Sequence, residues 1–156
     1  MKSIRIGDPA PDFSAIDSQG EPVALADFIG KKALVLFFYP ADESPVCTKE
    51  ACAFRDAYQD FIEAGAKVVG ISGDSARSHQ RFAEHHRLPF RLVSDEDGAL
   101  RRTFGVPKTL GLLPGRVTYL IDKMGIVRHL FNSQLNAEKH MGETLERLRQ
   151  LEENTG

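Results

Sequence analysis

The chain has 156 residues, enough for one domain with a substantial core, and an ordinary globular composition: 42% hydrophobic, 27% charged and no tryptophan. A formal net charge of −2 gives no electrostatic reason to expect nucleic acid or an anionic membrane as a main partner. No segment is long and apolar enough to span a bilayer, and Met1-Lys2-Ser3-Ile4-Arg5-Ile6-Gly7-Asp8 lacks the apolar stretch of a secretory signal, which predicts a cytoplasmic location.

Residues 1–32 read as an irregular entry containing a small hairpin, with 13–16 and 22–25 flanking a turn at Ser18-Gln19-Gly20. The continuous apolar run 33–39 is expected to be a central strand covered on both faces. Pro40 ends it, and Pro45 delays the next regular element. A helix is predicted from about 47 to 64. Ala51, Phe54, Tyr58, Phe61 and Ile62 form its buried stripe, and Gly65 stops it. Residues 67–72 read as a second buried strand. Asp74-Ser75 reads as a cap for a helix over 76–87. A short strand at 90–93 and a short helix at 97–104 lead into a loop at 105–115.

Residues 117–121 and 126–130 should pair as a hairpin across Asp122-Lys123-Met124-Gly125. A last helix over 136–151 would bury Met141, Leu145, Leu148 and Leu151. The pattern is an α/β domain, residues 1–156, with a central mixed sheet flanked by helices and an N-terminal hairpin extension. The thioredoxin-like arrangement has this order of elements.

The only cysteines are Cys47 and Cys52, where the apolar strand hands over to the first long helix. The thiolate is the reactive form of cysteine, and a helix N-terminus, with its free N–H groups and positive dipole end, favours it. A small buried hydrophobe is the alternative role for a free cysteine. The polar run Ala41-Asp42-Glu43-Ser44 before Cys47 favours a loop–helix junction and a reactive thiol. Spacing alone makes Ser44 an N-cap and Arg116 a surface residue opening a strand.

Pro40, Ser44 and Cys47 make the pattern Pro-x-x-x-Ser-x-x-Cys directly after an apolar strand, and there the chain resembles a peroxiredoxin. The likeness extends through 47–56 in the manner of the Q-type group, the bacterioferritin comigratory proteins. It recurs at Gly7-Asp8-Pro9-Ala10-Pro11-Asp12-Phe13 and at Arg116-Val117-Thr118-Tyr119-Leu120-Ile121-Asp122. The resemblance implies a thioredoxin-like fold and thiol-dependent reduction of hydrogen peroxide and organic hydroperoxides. Cys47 would be the peroxidatic and Cys52 the resolving cysteine, with Pro40, Ser44 and Arg116 around the peroxide. It further implies thioredoxin or a glutaredoxin-like protein as reductant, and the chain is expected to be a monomer or weak homodimer. No metal, flavin or haem cofactor is required, since sulfur carries the electrons. Two departures bear on substrate preference and loop mobility: Ser44 stands where threonine is more common, and Val46 where glycine is.

Attack on a peroxide leaves Cys47 as a sulfenic acid that a second thiol can condense with. On an undistorted helix, Cys47 and Cys52 would be separated by a rise of about 7.5 Å, with Cα atoms about 8–9 Å apart on different faces. A disulfide tolerates roughly 7 Å, so the pair requires the helix start to unwind. The polar Thr48-Lys49-Glu50 is expected to keep that unwinding easy.

A disulfide oxidoreductase is a rival reading, but that chemistry usually uses Cys-x-x-Cys rather than the Cys-x4-Cys found here. A redox-sensing interaction module is another. His79, His85 and His86 do not share one helix face and read as solvated, as do Lys31-Lys32 and Arg101-Arg102. The apolar loop at 110–115 reads as packed core, as the mouth of the site, or as a dimer or reductant contact.

Overall fold

A computed structural model describes residues 4–107 and 115–155. A hairpin of β1 (Ser14–Ile16) and β2 (Pro22–Ala24) precedes the main sheet. That sheet has five strands in the order β5-β4-β3-β6-β7. Here β3 is Ala33–Phe38, β4 Ala66–Ser72, β5 Arg91–Ser94, β6 Val117–Ile121 and β7 Val127–Asn132. β3, β4 and β5 run parallel, and β6 and β7 are antiparallel to their neighbours, giving the expected mixed sheet. Among the described residues, no helix is long and apolar enough to cross a membrane.

The central strand shows why its sequence is apolar without interruption. Val35, Phe37 and Tyr39 point to one face, and Leu34, Leu36 and Phe38 to the other. The first face is covered by α1 (Pro45–Asp56), α2 (Tyr58–Glu63), α3 (Ala76–His86) and α5 (Ala137–Thr155), which contribute Phe54, Phe61, Phe82, Leu145 and Leu148. The second face packs against the N-terminal segment and α4 (Ala99–Phe104), through Phe13, Val23, Leu100 and Phe104.

Gly70 in β4 is required by close approach rather than by a turn. A Cβ there would fall 2.8 Å from both Leu92 Cδ2 and Phe37 Cζ. The space it leaves lets Phe37 stack on Phe54 of α1, with ring centroids 4.7 Å apart, which seats the helix bearing both cysteines.

Several expectations are corrected. The single helix over 47–64 is two helices, starting at Pro45 and broken at Ala57, whose backbone sits at φ −98°, ψ 4°. Neither glycine nor proline marks this break. It brings Phe54 and Phe61 together with ring centroids 5.6 Å apart, a packing demand that no local pattern announces. The hairpin, the second strand and the Ser75 cap occur as expected, the Ser75 hydroxyl accepting from the Ser78 N–H at 3.1 Å. His79 is fully buried instead of solvated. In α5 the expected Leu145 and Leu148 are buried, and His140 and Thr144 join them. Residues 110–114 of the apolar loop lie outside the described residues.

Candidate active site

Cys47 is the third residue of α1, after Pro45, whose fixed φ suits a first helical position. Its side chain is completely buried, while Cys52 is half-buried farther along the same helix, and both are free thiols. Ser44 stands at the N-cap, yet its hydroxyl does not cap; it donates to the Ala41 carbonyl at 3.0 Å. The expected capping role is therefore wrong. The first N–H groups of α1 receive no side-chain oxygen from Ser44.

Arg116 is not a surface residue. It is 3% exposed, and its guanidinium spans the site. Nη2 donates to Cys47 Sγ at 3.1 Å, Nη1 to Glu50 Oε1 at 2.7 Å, and Nε to the Gln134 carbonyl at 3.0 Å. Three bonds in three directions leave the planar fork one orientation. Gly115 makes the approach possible: a Cβ there would overlap the Pro107 carbonyl oxygen. Pro40 is half-buried directly after the buried Tyr39, at the carboxyl end of β3.

Glu50 was expected to loosen the helix start, but it is fully buried and ion-paired to Arg116. Burial pushes its pKa up to about 7, against the opposing pull of Arg116. Its Oε2 makes no hydrogen bond, although His140 Nδ1 lies 3.3 Å away. His140 Nε2 donates to the Ser133 carbonyl at 2.7 Å, and the Thr118 hydroxyl donates to Nδ1 at 2.8 Å. That is the pattern of a neutral imidazole, and burial lowers the His140 pKa to about 4, with the Arg116 charge adding to the effect against the Ser133 bond. One cation thus faces two acidic groups. A proton held by Glu50 leaves the Arg116 charge undivided for Cys47.

Arg101 was expected to be solvated and is not. It donates to the Tyr39 carbonyl at 2.7 Å and to the Gly115 carbonyl at 3.0 Å, with Cζ 5.9 Å from the centroid of the Phe38 ring. It bolts the segment before Pro40 to the segment before Arg116. Burial lowers its pKa, against the opposing influence of Asp95 and Cys47. The signal for Glu50 was available in the sequence: it stands three residues after Cys47, on the stripe Cys47, Glu50, Ala51, Phe54. Arg101 carried only a weak one, its position three residues before buried Phe104.

The arrangement provides a buried sulfur, a fixed cation on it, and a helix N-terminus beside it. These are the elements that stabilise a thiolate and a developing negative charge. Comparison with known proteins points the same way. Residues 6–130 match the model of the AhpC/TSA family. Peroxiredoxin Q of Triticum aestivum, a chloroplast protein, is 53% identical over 146 residues, covering 93% of this chain and 67% of the relative. The chloroplast peroxiredoxin Q of Arabidopsis thaliana is 53% identical over 147 residues, covering 94% and 68%. Among solved structures, the peroxidoxin BcpB of Mycobacterium tuberculosis superimposes with a TM-score of 0.87 at 38% identity, covering 95% of this chain and 98% of that one. A Xanthomonas campestris bacterioferritin comigratory protein, whose structures describe alkyl peroxide reduction with a trapped intermediate, gives 0.82 at 32% identity, covering 90% and 92%. The chloroplast location of relatives 53% identical to this chain over the aligned residues overturns the expectation of a cytoplasmic location.

Proposed function

The chain belongs to the AhpC/TSA family and is a thiol peroxidase of the peroxiredoxin Q kind, and from that premise we propose that Cys47 is its peroxidatic nucleophile and Cys52 its resolving cysteine. Arg116, Ser44 and Pro40 surround the bound peroxide. The observation that carries this reading is the Arg116 guanidinium, held by Glu50 and the Gln134 carbonyl and donating to Cys47 Sγ at 3.1 Å.

The Cys47 thiolate attacks the nearer oxygen of R–O–O–H, and the O–O bond breaks. Sulfur is oxidised by two electrons to Cys47–S–OH, and the leaving R–O⁻ takes up a proton to become R–OH. Arg116 donates to sulfur and to the charge growing on the departing oxygen. The Ser44 hydroxyl donates to the Ala41 carbonyl, so its oxygen can still accept from the peroxide O–H. Pro40 presents an apolar wall that limits water.

Resolution needs movement. Both cysteines lie on α1, so the Cys52 thiol reaches the sulfenic acid only after the helix start unwinds, releasing water as the S–S bond forms. The Glu50–Arg116 pair opposes that unwinding, while the break at Ala57 separates α1 from α2. Thioredoxin or a similar dithiol then reduces the exposed disulfide.

Peroxide consumption with a thioredoxin system tests the assignment. Cys47→Ser should abolish it. Cys52→Ser should keep one reaction with peroxide per chain but form no intramolecular disulfide. Full turnover by Cys47→Ser, or a normal disulfide-dependent cycle in Cys52→Ser, would refute the roles.

A further inference from the structure

The loop between β3 and α1 carries a second polar cluster that the peroxidase chemistry leaves unused. Glu43 reaches to the last turn of α3, where its Oε2 lies 2.9 Å from His85 Nδ1 and its Oε1 2.7 Å from His86 Nε2. Adjacent residues on a helix point about 100° apart and usually diverge. These two converge because one ring offers its near nitrogen and the other its far nitrogen, with ring centroids 4.3 Å apart.

One donor atom from each residue lies within 4.8 Å of the others. Tetrahedral zinc with bonds of about 2.0–2.2 Å spaces its donors roughly 3.3 Å apart, a spacing between the carboxylate–imidazole contacts of 2.7 and 2.9 Å and the 4.8 Å outer limit of the group, within reach of small side-chain adjustments. Glu43 also has a positive φ, 63°, which is uncommon for a residue other than glycine.

The nearby group of Asp42, Asp74 and His79 is different. Both Asp42 oxygens, both His79 nitrogens and Asp74 Oδ2 are already engaged, by Tyr39, Ser72, Ser78, the Asp42 N–H, the Val93 carbonyl and one another.

We propose that Glu43, His85 and His86 bind a zinc-class divalent cation, and that the filled site fastens the loop before Cys47 to the end of α3 and slows closure of the Cys47–Cys52 disulfide. Two imidazoles and a carboxylate suit zinc and its neighbours rather than calcium or magnesium, and three protein ligands leave one position for water. The cation draws nothing from the Cys47–Arg116 contact, so the first reaction with peroxide is spared. Arg55 of α1 already donates to the His86 carbonyl at 2.7 Å, so the same end of α3 grips the helix that must unwind. The braking part rests on the resolving role of Cys52 given above; the binding part does not.

Zinc chloride alone, titrated against a chromophoric chelator into protein carrying Cys47→Ser and Cys52→Ser, tests binding without competing thiols. One equivalent should bind, and His85→Ala, His86→Ala or Glu43→Gln should each weaken it roughly tenfold or more, with circular dichroism unchanged. Absence of binding, or an affinity that none of the three alters, overturns the site. In protein with both cysteines, zinc should slow disulfide formation after a pulse of peroxide without slowing sulfenic acid formation. His86→Ala should remove the effect. Equal slowing in His86→Ala, as zinc on the thiols would give, or no slowing, overturns the brake while the binding result stands by itself. A metal-free control that forms the disulfide separates either outcome from failure of the Cys52 reading.

Discussion

Two buried polar networks flank the loop that leads into Cys47, and they differ in how completely they are satisfied. Around Asp42, every visible demand is met. Its oxygens accept from the Tyr39 and Ser78 hydroxyls at 2.6 and 2.7 Å and from His79 Nδ1 at 2.7 Å, and its N–H donates to Asp74 at 2.8 Å. His79 Nε2 lies 3.0 Å from the Val93 carbonyl, so both ring nitrogens have a buried partner. Around Arg116, by contrast, Glu50 keeps an unbonded oxygen beside a neutral histidine, and one guanidinium serves two acidic partners. A completed network can only hold the chain in place. An incomplete one retains a proton and a charge that can be redistributed when Cys47 changes state.

The sharpest break of this comparison is Asp42→Ala. It leaves His79 Nδ1 and the Tyr39 and Ser78 hydroxyls without the carboxylate they face, in a site where His79 and Asp42 are almost fully buried, and should cost about 3–5 kcal/mol of stability by urea unfolding. The rate of the first peroxide step should fall far less; an unaltered unfolding midpoint would remove the anchor from the account. Arg116→Met should do the reverse. The rate of Cys47 oxidation, followed by stopped-flow fluorescence or mass spectrometry in Cys52→Ser, should drop on the order of 10²–10³-fold. Arg116→Lys should remain impaired, because a single ammonium cannot reproduce the fork that spans Cys47 and Glu50.

The smallest expected effect lies in pH dependence. Glu50 has a folded pKa of about 7 against an ordinary 4.5, so the folded state holds its proton more tightly than the unfolded chain. Its contribution to stability is complete below about 4.5 and is lost as pH rises through about 7. His140 has the opposite slope: lowered from 6.5 to about 4, it contributes above 6.5 and loses that contribution as pH falls through about 4. The two nearly offset each other in the wild type. Glu50→Gln should therefore unmask a stability that rises with pH over this window. Parallel stability curves for wild type and variant would show that Glu50 is ionised throughout.

Much of the scaffold was legible from local pattern. The uninterrupted apolar run at 33–39, the turn chemistry of the two hairpins and the Ser75 cap all act over a few residues, where physical rules are short-ranged. The break at Ala57 was not legible, because it answers the contact between Phe54 and Phe61 rather than any helix-breaking residue. The site was half legible. The spacing of Pro40, Ser44 and Cys47 marked one side of it, while Glu50, His79 and Arg101 were taken for solvated polar residues. Glu50 and His79 are buried and Arg101 half-buried by partners from other elements, which a one-dimensional reading cannot supply.

The sequence by itself determined the order of strands and helices, the position of Cys47 at a helix start, and the five-residue separation that keeps Cys52 out of reach on an intact helix. Those follow from backbone geometry and side-chain periodicity. Only the tertiary structure decided that Arg116 reaches Cys47 across 69 residues, that Glu50 shares the cation, and that Glu43 meets His85 and His86. Whether a charged group is solvated, paired or buried depends on what the folded chain brings opposite it.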